Sequence, residues 1–463
     1  MPNKMLKGLG IVLLFVGALM LTSQFAWASE QAGQTAEGAH SIAQTLLWIV
    51  VVLLAAKIAS LVEKIGQPAV LGELVIGLIL GNLVLFGLNL FEPIKADPII
   101  AFLSEFGVII LLFQVGLESN IKEMVKVGPR ATAVAIVGVV VPFLLGWLVV
   151  GPWLLPGLST NAYLFLGASL TATSVGITAR VFKDLGKLHI PEAKIVLGAA
   201  VIDDVFGLII LAVISAVVTL GAVSLGGVSL ILGKAIFFLV GAIVIGQYAS
   251  PLLCNMFSRI HTGTGMKMTI ALSFALVFAF LAEEIGLAPI VGAFAAGLVL
   301  DPVHFRFFRK PQVAQEIMDE AATLNEPHKG RLHKIADHLS DRHVEELIEP
   351  IALLFVPIFF VYTGMTVKLE TLFDPKILGI ALAISVVAVL GKYVAGFVAG
   401  NVNKHLVGFG MVPRGEVGLI FATIGRGLGV VSEEVFSVIV IMVIMTTLFT
   451  PPILSALLKR QTA

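Results

Sequence analysis

Ile195-Val-Leu-Gly-Ala-Ala-Val-Ile-Asp203-Asp204-Val-Phe-Gly-Leu-Ile-Ile-Leu-Ala-Val-Ile-Ser-Ala-Val-Val218 is an apolar run with two adjacent carboxylates near its middle. A helix of about 20 apolar residues is long enough to cross a bilayer. A charged side chain at its centre costs roughly 3 kcal/mol or more. Two in a row need a water-filled cavity, a cationic partner, a proton or a bound cation, and each of these points to ion handling.

The rest of the chain has the same character. Of its 463 residues 58% are hydrophobic and 13% charged, and the mean hydropathy is +1.02. That balance excludes an ordinary soluble domain and reads as an all-α polytopic membrane protein. A membrane β-barrel would show short alternating segments instead. The single Cys254 excludes an internal disulfide and any multi-cysteine metal site.

Residues 1–28 read as a signal peptide: Lys4 and Lys7, an apolar core from Gly8 to Leu21, then Ala26-Trp27-Ala28 before Ser29. Thirteen candidate spans follow, at 42–62, 69–91, 98–117, 131–150, 160–182, 194–218, 228–250, 268–284, 286–301, 350–366, 376–399, 405–424 and 433–457. Lys and Arg concentrate in alternate loops, for example Lys122, Lys126 and Arg130, then Arg180, Lys183 and Lys187. Those loops are expected on the cytoplasmic side, which puts the N-terminus outside and the C-terminus inside a bacterial inner membrane. The 302–349 segment is expected to be a cytoplasmic insert holding one or two amphipathic helices. His333, His338 and His343 in it are five residues apart and do not share a helix face, so they make no metal site.

The chain also repeats itself. Gly66-Gln-Pro-Ala-Val-Leu-Gly72-Glu-Leu-Val-Ile-Gly77-Leu-Ile-Leu80 aligns with Gly286-Leu-Ala-Pro-Ile-Val-Gly292-Ala-Phe-Ala-Ala-Gly297-Leu-Val-Leu300. Gly116 then aligns with Gly364, and Ser174-Val-Gly-Ile177 with Glu416-Val-Gly-Leu419. Each match pairs spans of opposite expected direction. Two inverted repeats follow, spans 1–6 and 8–13, with 228–250 as a connector. This is an architecture of secondary transporters, whose sites lie at midplane on broken helices.

Two corresponding spans carry the marks of such breaks. Span five holds Thr171-Ala-Thr173-Ser174-Val-Gly176, and span twelve holds Pro413-Arg414-Gly415-Glu416. Proline removes a backbone donor and glycine permits unwinding. Arg414 and Glu416 lie inside an apolar run, which suggests an ion pair locking the crossover. Adjacent helical residues differ by about 100° in direction, so Asp203 and Asp204 cannot play identical roles. Span eleven offers Lys392 as a partner, with Gly391 and Gly396 permitting close helix approach. Burial favours the neutral carboxyl and a neighbouring ammonium favours the ionised one. A carboxylate held between them takes a proton or a cation, but not both. Hydroxyls and carbonyls of span five complete a hard-cation shell suited to Na+ rather than to a transition metal. Glu73 in span two is a further candidate, for cation access.

These motifs resemble the cation:proton antiporter 2 family, in particular its electrogenic sodium/proton antiporters with paired aspartates. The run Phe355-Val-Pro-Ile-Phe-Phe-Val361 is also similar. The resemblance spans nearly all of the chain after residue 40. It implies Asp204 as the main ion and proton site and Asp203 as the partner of Lys392. It places Thr171, Thr173 and Ser174 on the first crossing helix and Arg414 with Glu416 on the second. It implies scaffold helices at 42–117, 268–301 and 350–366, core helices at 131–218 and 376–457, and a homodimer. The expected function is exchange of Na+, or K+ or Li+, for H+ by alternating access. K+/H+ exchange or K+ efflux is the alternative, with a channel or an intramembrane aspartyl protease more remote. Beyond those ions and membrane lipid, no cofactor, resident metal or nucleic acid is expected.

Overall fold

The structure, a computed structural model, describes residues 42–65, 67–118, 128–187, 190–220, 225–285, 287–300, 305, 308, 311–322, 332–333, 335–336, 343–370 and 374–461. The expected signal peptide and about half of the 302–349 insert lie outside the described residues. Regular structure among the described residues is helical throughout. The first half comprises α1 (Ile42–Ala59), α2 (Ala69–Gly81), α3 (Pro98–Glu118), α4 (Pro129–Leu144), α5 (Thr160–Ser169), α6 (Val175–Asp184) and α7 (Pro191–Leu220). A long α8 (Leu225–Ser258) leads to α9 (Thr264–Glu284), α10 (Pro289–Val299) and the insert helix α11 (Gln312–Ala322). Then come α12 (His343–Met365), α13 (Pro375–Tyr393), α14 (Lys404–Gly410), α15 (Glu416–Gly427) and α16 (Glu433–Gln461).

Local chemistry explains many of the boundaries. Proline opens α3, α4, α7, α10 and α13, where its missing N–H leaves nothing unsatisfied. Asp97 caps α3 by accepting from the amides of Ile99 and Ile100, and its other oxygen accepts from Thr45 Oγ1 of α1 at 2.6 Å. Nine helices among the described residues are long and apolar enough to cross a membrane, and shorter apolar ones cover Ala69–Gly81, Pro289–Val299 and Val417–Gly427. The seventh expected span, 228–250, extends to Leu225–Ser258. Hydropathy fades towards Asn255 and Ser258, but the backbone bonds continue. The tenth starts early, at His343, because Glu345 and Glu346 carry a first turn beyond the apolar run.

The repeat appears as geometry at its glycines. A Cβ on Gly72 would strike the carbonyl of Ala59 in α1, and one on Gly292 that of Phe278 in α9. Gly77 abuts Val361 of α12, and Gly297 abuts Phe113 of α3. Gly116 meets Phe294 in α10, and Gly364 meets Leu74 in α2. Each residue and its aligned partner touch equivalent helices, which only a true structural duplication produces. Accordingly α3 packs on α10 as α12 packs on α2, and α4 packs on α7 as α13 packs on α16. Large apolar side chains on the outer surface, Phe237 and Tyr248 among them, stay exposed. In a membrane protein that surface faces lipid.

Gly297→Ala forces a methyl into the Phe113 backbone and is expected to cost about 1–3 kcal/mol. Gly379→Ala, in α13 with open space around it, is expected to be neutral or stabilising. Thermal unfolding of both variants in detergent checks this. Equal melting temperatures would contradict the close-packing assignment.

Candidate functional site

Two unwound segments meet at the centre of the molecule. Between α5 and α6 the chain is non-helical from 170 to 174, and between α14 and α15 from 411 to 415. They cross and bond to each other. Ser174 N–H donates to Pro413 O at 2.8 Å. Thr173 Oγ1 donates to Met411 O at 3.2 Å, and Thr178 Oγ1 to Gly410 O at 2.7 Å. Thr171 Oγ1 donates to Ala168 O at the end of α5. Each hydroxyl thus spends its proton on a carbonyl and keeps lone pairs for another ligand. The contact is tight: a Cβ on Gly415 would lie 2.7 Å from Ser174 Cβ and Oγ. The breaks also bring two helix N-termini and two C-termini together, a set of fixed partial charges inside the protein.

Arg414 lies in the second unwound segment and is fully buried. Its guanidinium donates to Ala172 O of the other segment at 3.1 Å and to Ala388 O of α13 at 2.9 Å. The expected Arg414–Glu416 pair involves a side chain outside the described residues. The described partners of Arg414 are carbonyls, so the crossover is tied by charge-assisted hydrogen bonds to backbone. Thr447 of α16 donates to Arg414 O. A sequence reading misses Thr178 and Thr447, since isolated hydroxyls in apolar helices usually bond within their own turn. A signal does exist for Thr447. Thr446-Thr447 of α16 falls close to the register that Asp203-Asp204 occupies in α7, its inverted counterpart.

α7 passes the crossover, touching α5, α6, α14 and α15. It presents Asp203 to Lys392 of α13. Lys392 Nζ donates to both carboxylate oxygens, at 2.9 and 2.7 Å, and both side chains are 0% exposed. Asp204 is buried and within electrostatic range of Lys392. The two aspartates therefore differ in surroundings, as their helical phase requires. Gly391 packs onto Pro142 of α4 and Gly396 onto Gly408 of α14, the close approaches expected beside Lys392.

A cavity of about 220 Å³ adjoins the crossover, lined by Leu71 and Leu74 of α2, Phe360 of α12, Ser174, Arg414 and Thr447. Glu73 is buried on α2 but does not line it. Its neighbours Gly72 and Gly77 abut α1 and α12, so Glu73 lies apart from the assembled aspartates, lysine and crossover.

Removing one member of a fully buried ion pair leaves an uncompensated charge. Asp203→Asn is expected to destabilise by about 3 kcal/mol while Lys392 remains. Adding Lys392→Met should recover most of that loss. Denaturation of the single and double variants measures it, and a double variant no more stable than the single one would sink the argument.

Residues 49–320 and 330–460 match the family described as sodium/hydrogen exchanger, transmembrane. The chain is 35% identical to a high-affinity Na+/H+ antiporter, NhaS3, of Synechocystis, over 90% of each chain. It is 33% identical to the Na+/H+-K+ antiporter GerN of Bacillus cereus, over 88% of this chain and 94% of that one. Its fold matches the sodium proton antiporter MjNhaP1 of Methanocaldococcus jannaschii with a TM-score of 0.58 at 17% identity, covering 90% and 96% of the two chains. With broken helices crossing beside a buried carboxylate–ammonium pair, and a family match over most of its length, this multi-pass membrane chain belongs to the sodium/hydrogen exchanger family.

Proposed function

We propose that this chain exchanges Na+ for H+ by alternating access, with Asp204 as the principal ion and proton site and the Asp203–Lys392 pair as the element that cation entry breaks. The observation that carries this is the fully buried ion pair, next in sequence to a second buried carboxylate and beside two helix breaks. In a site without bulk water a cation must displace the charge already compensating the carboxylates. Lys392 or a proton on Asp204 is that charge. Thr171, Thr173 and Ser174 offer oxygen lone pairs, and Arg414 keeps the crossover in place. The helices α4–α7 and α13–α16 would move as a core against a scaffold of α1–α3, α9, α10 and α12, in a homodimer in a bacterial inner membrane. The alternation of basic loops supports an outside N-terminus and an inside C-terminus.

Na+ is favoured by the relatives named as Na+/H+ antiporters. K+ is the second reading, favoured by the Na+/H+-K+ antiporter relative. If two protons exchange for one Na+, each cycle moves one net charge, worth about 2.3 kcal/mol per 100 mV.

In liposomes carrying a pH-sensitive dye, Na+ should drive proton movement, and Asp204→Asn should abolish it. Substantial residual exchange in that variant would contradict the assigned role. Protons and cations compete for one site, so the apparent KM for Na+ should rise as pH falls. A KM that stays flat or declines towards acid pH would exclude competition at a shared carboxylate.

A further inference from the structure

Lys392 carries three N–H donors on a fully buried ammonium. Asp203 receives it through both oxygens. On another side stands α4. A Cβ built on Gly138 would lie 3.5 Å from Lys392 Nζ and 3.6 Å from its Cδ. The absent side chain thus lets the ammonium lie against the α4 backbone. Four residues further on, Pro142 sits inside the same helix. Proline has no N–H, so the Gly138 carbonyl loses its usual helical donor, and the ring crowds that carbonyl. Buried carbonyls seek a donor. The α4–α13 contact is close here, since a Cβ on Gly391 would lie 3.0 Å from Pro142 Cβ. A carbonyl short of a donor and an ammonium with a donor to spare therefore adjoin each other.

We propose that the Gly138 carbonyl, released by Pro142, receives the Lys392 ammonium when a cation occupies the aspartates. This rests on the reading that cation entry breaks the Asp203–Lys392 pair. Lys392 is fully buried, so an ammonium leaving Asp203 needs another acceptor within the protein. The α4 carbonyl gives it an acceptor within a small side-chain movement. That lowers the free energy of the cation-bound state, and so Gly138 and Pro142 are positioning residues that set cation affinity. They do not touch the ion.

Na+ affinity of the purified full chain can be read from Na+-dependent thermal stabilisation. The set is wild type, Pro142→Ala, Lys392→Met and the double variant. Alanine keeps the Cβ on which Gly391 packs and restores an N–H to the Gly138 carbonyl. Pro142→Ala is expected to weaken Na+ binding about tenfold, the scale of one hydrogen bond to a charged group. In the Lys392→Met background the same change should have no effect. Unchanged or tighter binding in Pro142→Ala would overturn the proposal. So would equal weakening with and without the ammonium, which would mark a change of helix shape. If Pro142→Ala does not fold, Gly138→Ala replaces it: a methyl 3.5 Å from Nζ crowds the resting place and should weaken Na+ binding several-fold, and unaltered affinity would refute the idea. The underlying reading fails separately. Lys392→Met should tighten Na+ binding by removing a competitor, and if it does not, the ion pair is not what the cation breaks.

Discussion

A carboxylate and an ammonium facing each other without water is the constraint on which the rest of this structure depends. The Asp203–Lys392 pair is fully enclosed, and enclosing two charges costs several kcal/mol per ion before their attraction is counted. Such a pair is poor evidence for stability. It is suited to a device that must exchange one counter-charge for another, because neither partner can be left alone. The surroundings keep the pair enclosed. α13 is drawn onto α4 by Gly391 and Pro142, and α7 runs past the crossover of two interrupted helices.

The interruptions follow from the same logic. A continuous helix satisfies its own backbone and has nothing to offer an ion. A broken one exposes carbonyls and amides, which are tolerated at membrane depth only where protein encloses them. Here each unwound segment satisfies part of the other, through Ser174, Thr173, Thr178 and the Arg414 guanidinium. Arg414 spans the first unwound segment and α13, so the crossover and the helix carrying Lys392 are mechanically linked.

The architecture is duplicated, but its chemistry is not. The glycine contacts of the two halves correspond pair by pair, and so do the helix packings. Among the described residues the charged pair has no such twin. Where α7 carries Asp203 and Asp204, the repeat offset puts Met445 and Thr446 in α16, and the next residue, Thr447, bonds to the crossover. A symmetric frame with an asymmetric site suits the proposed mechanism, in which one set of ligands faces either side in turn.

The amino-acid sequence by itself determined the membrane class, the order of most apolar segments, the inverted repeat and the residue types of the candidate site. Apolar length, glycine spacing and intramembrane charge are local or periodic signals, and each has a steep energetic cause. The partnership of Asp203 with Lys392 entered through family resemblance, since their separation in the chain carries no signal of contact. Only the tertiary structure decided which carbonyls Arg414 holds, that Thr447 and Thr178 brace the crossover, and that Glu73 stands apart from it. Those outcomes depend on helix rotation and register. In a chain that is apolar on every face, hydropathy does not record rotation, and close packing at a handful of glycines sets it instead.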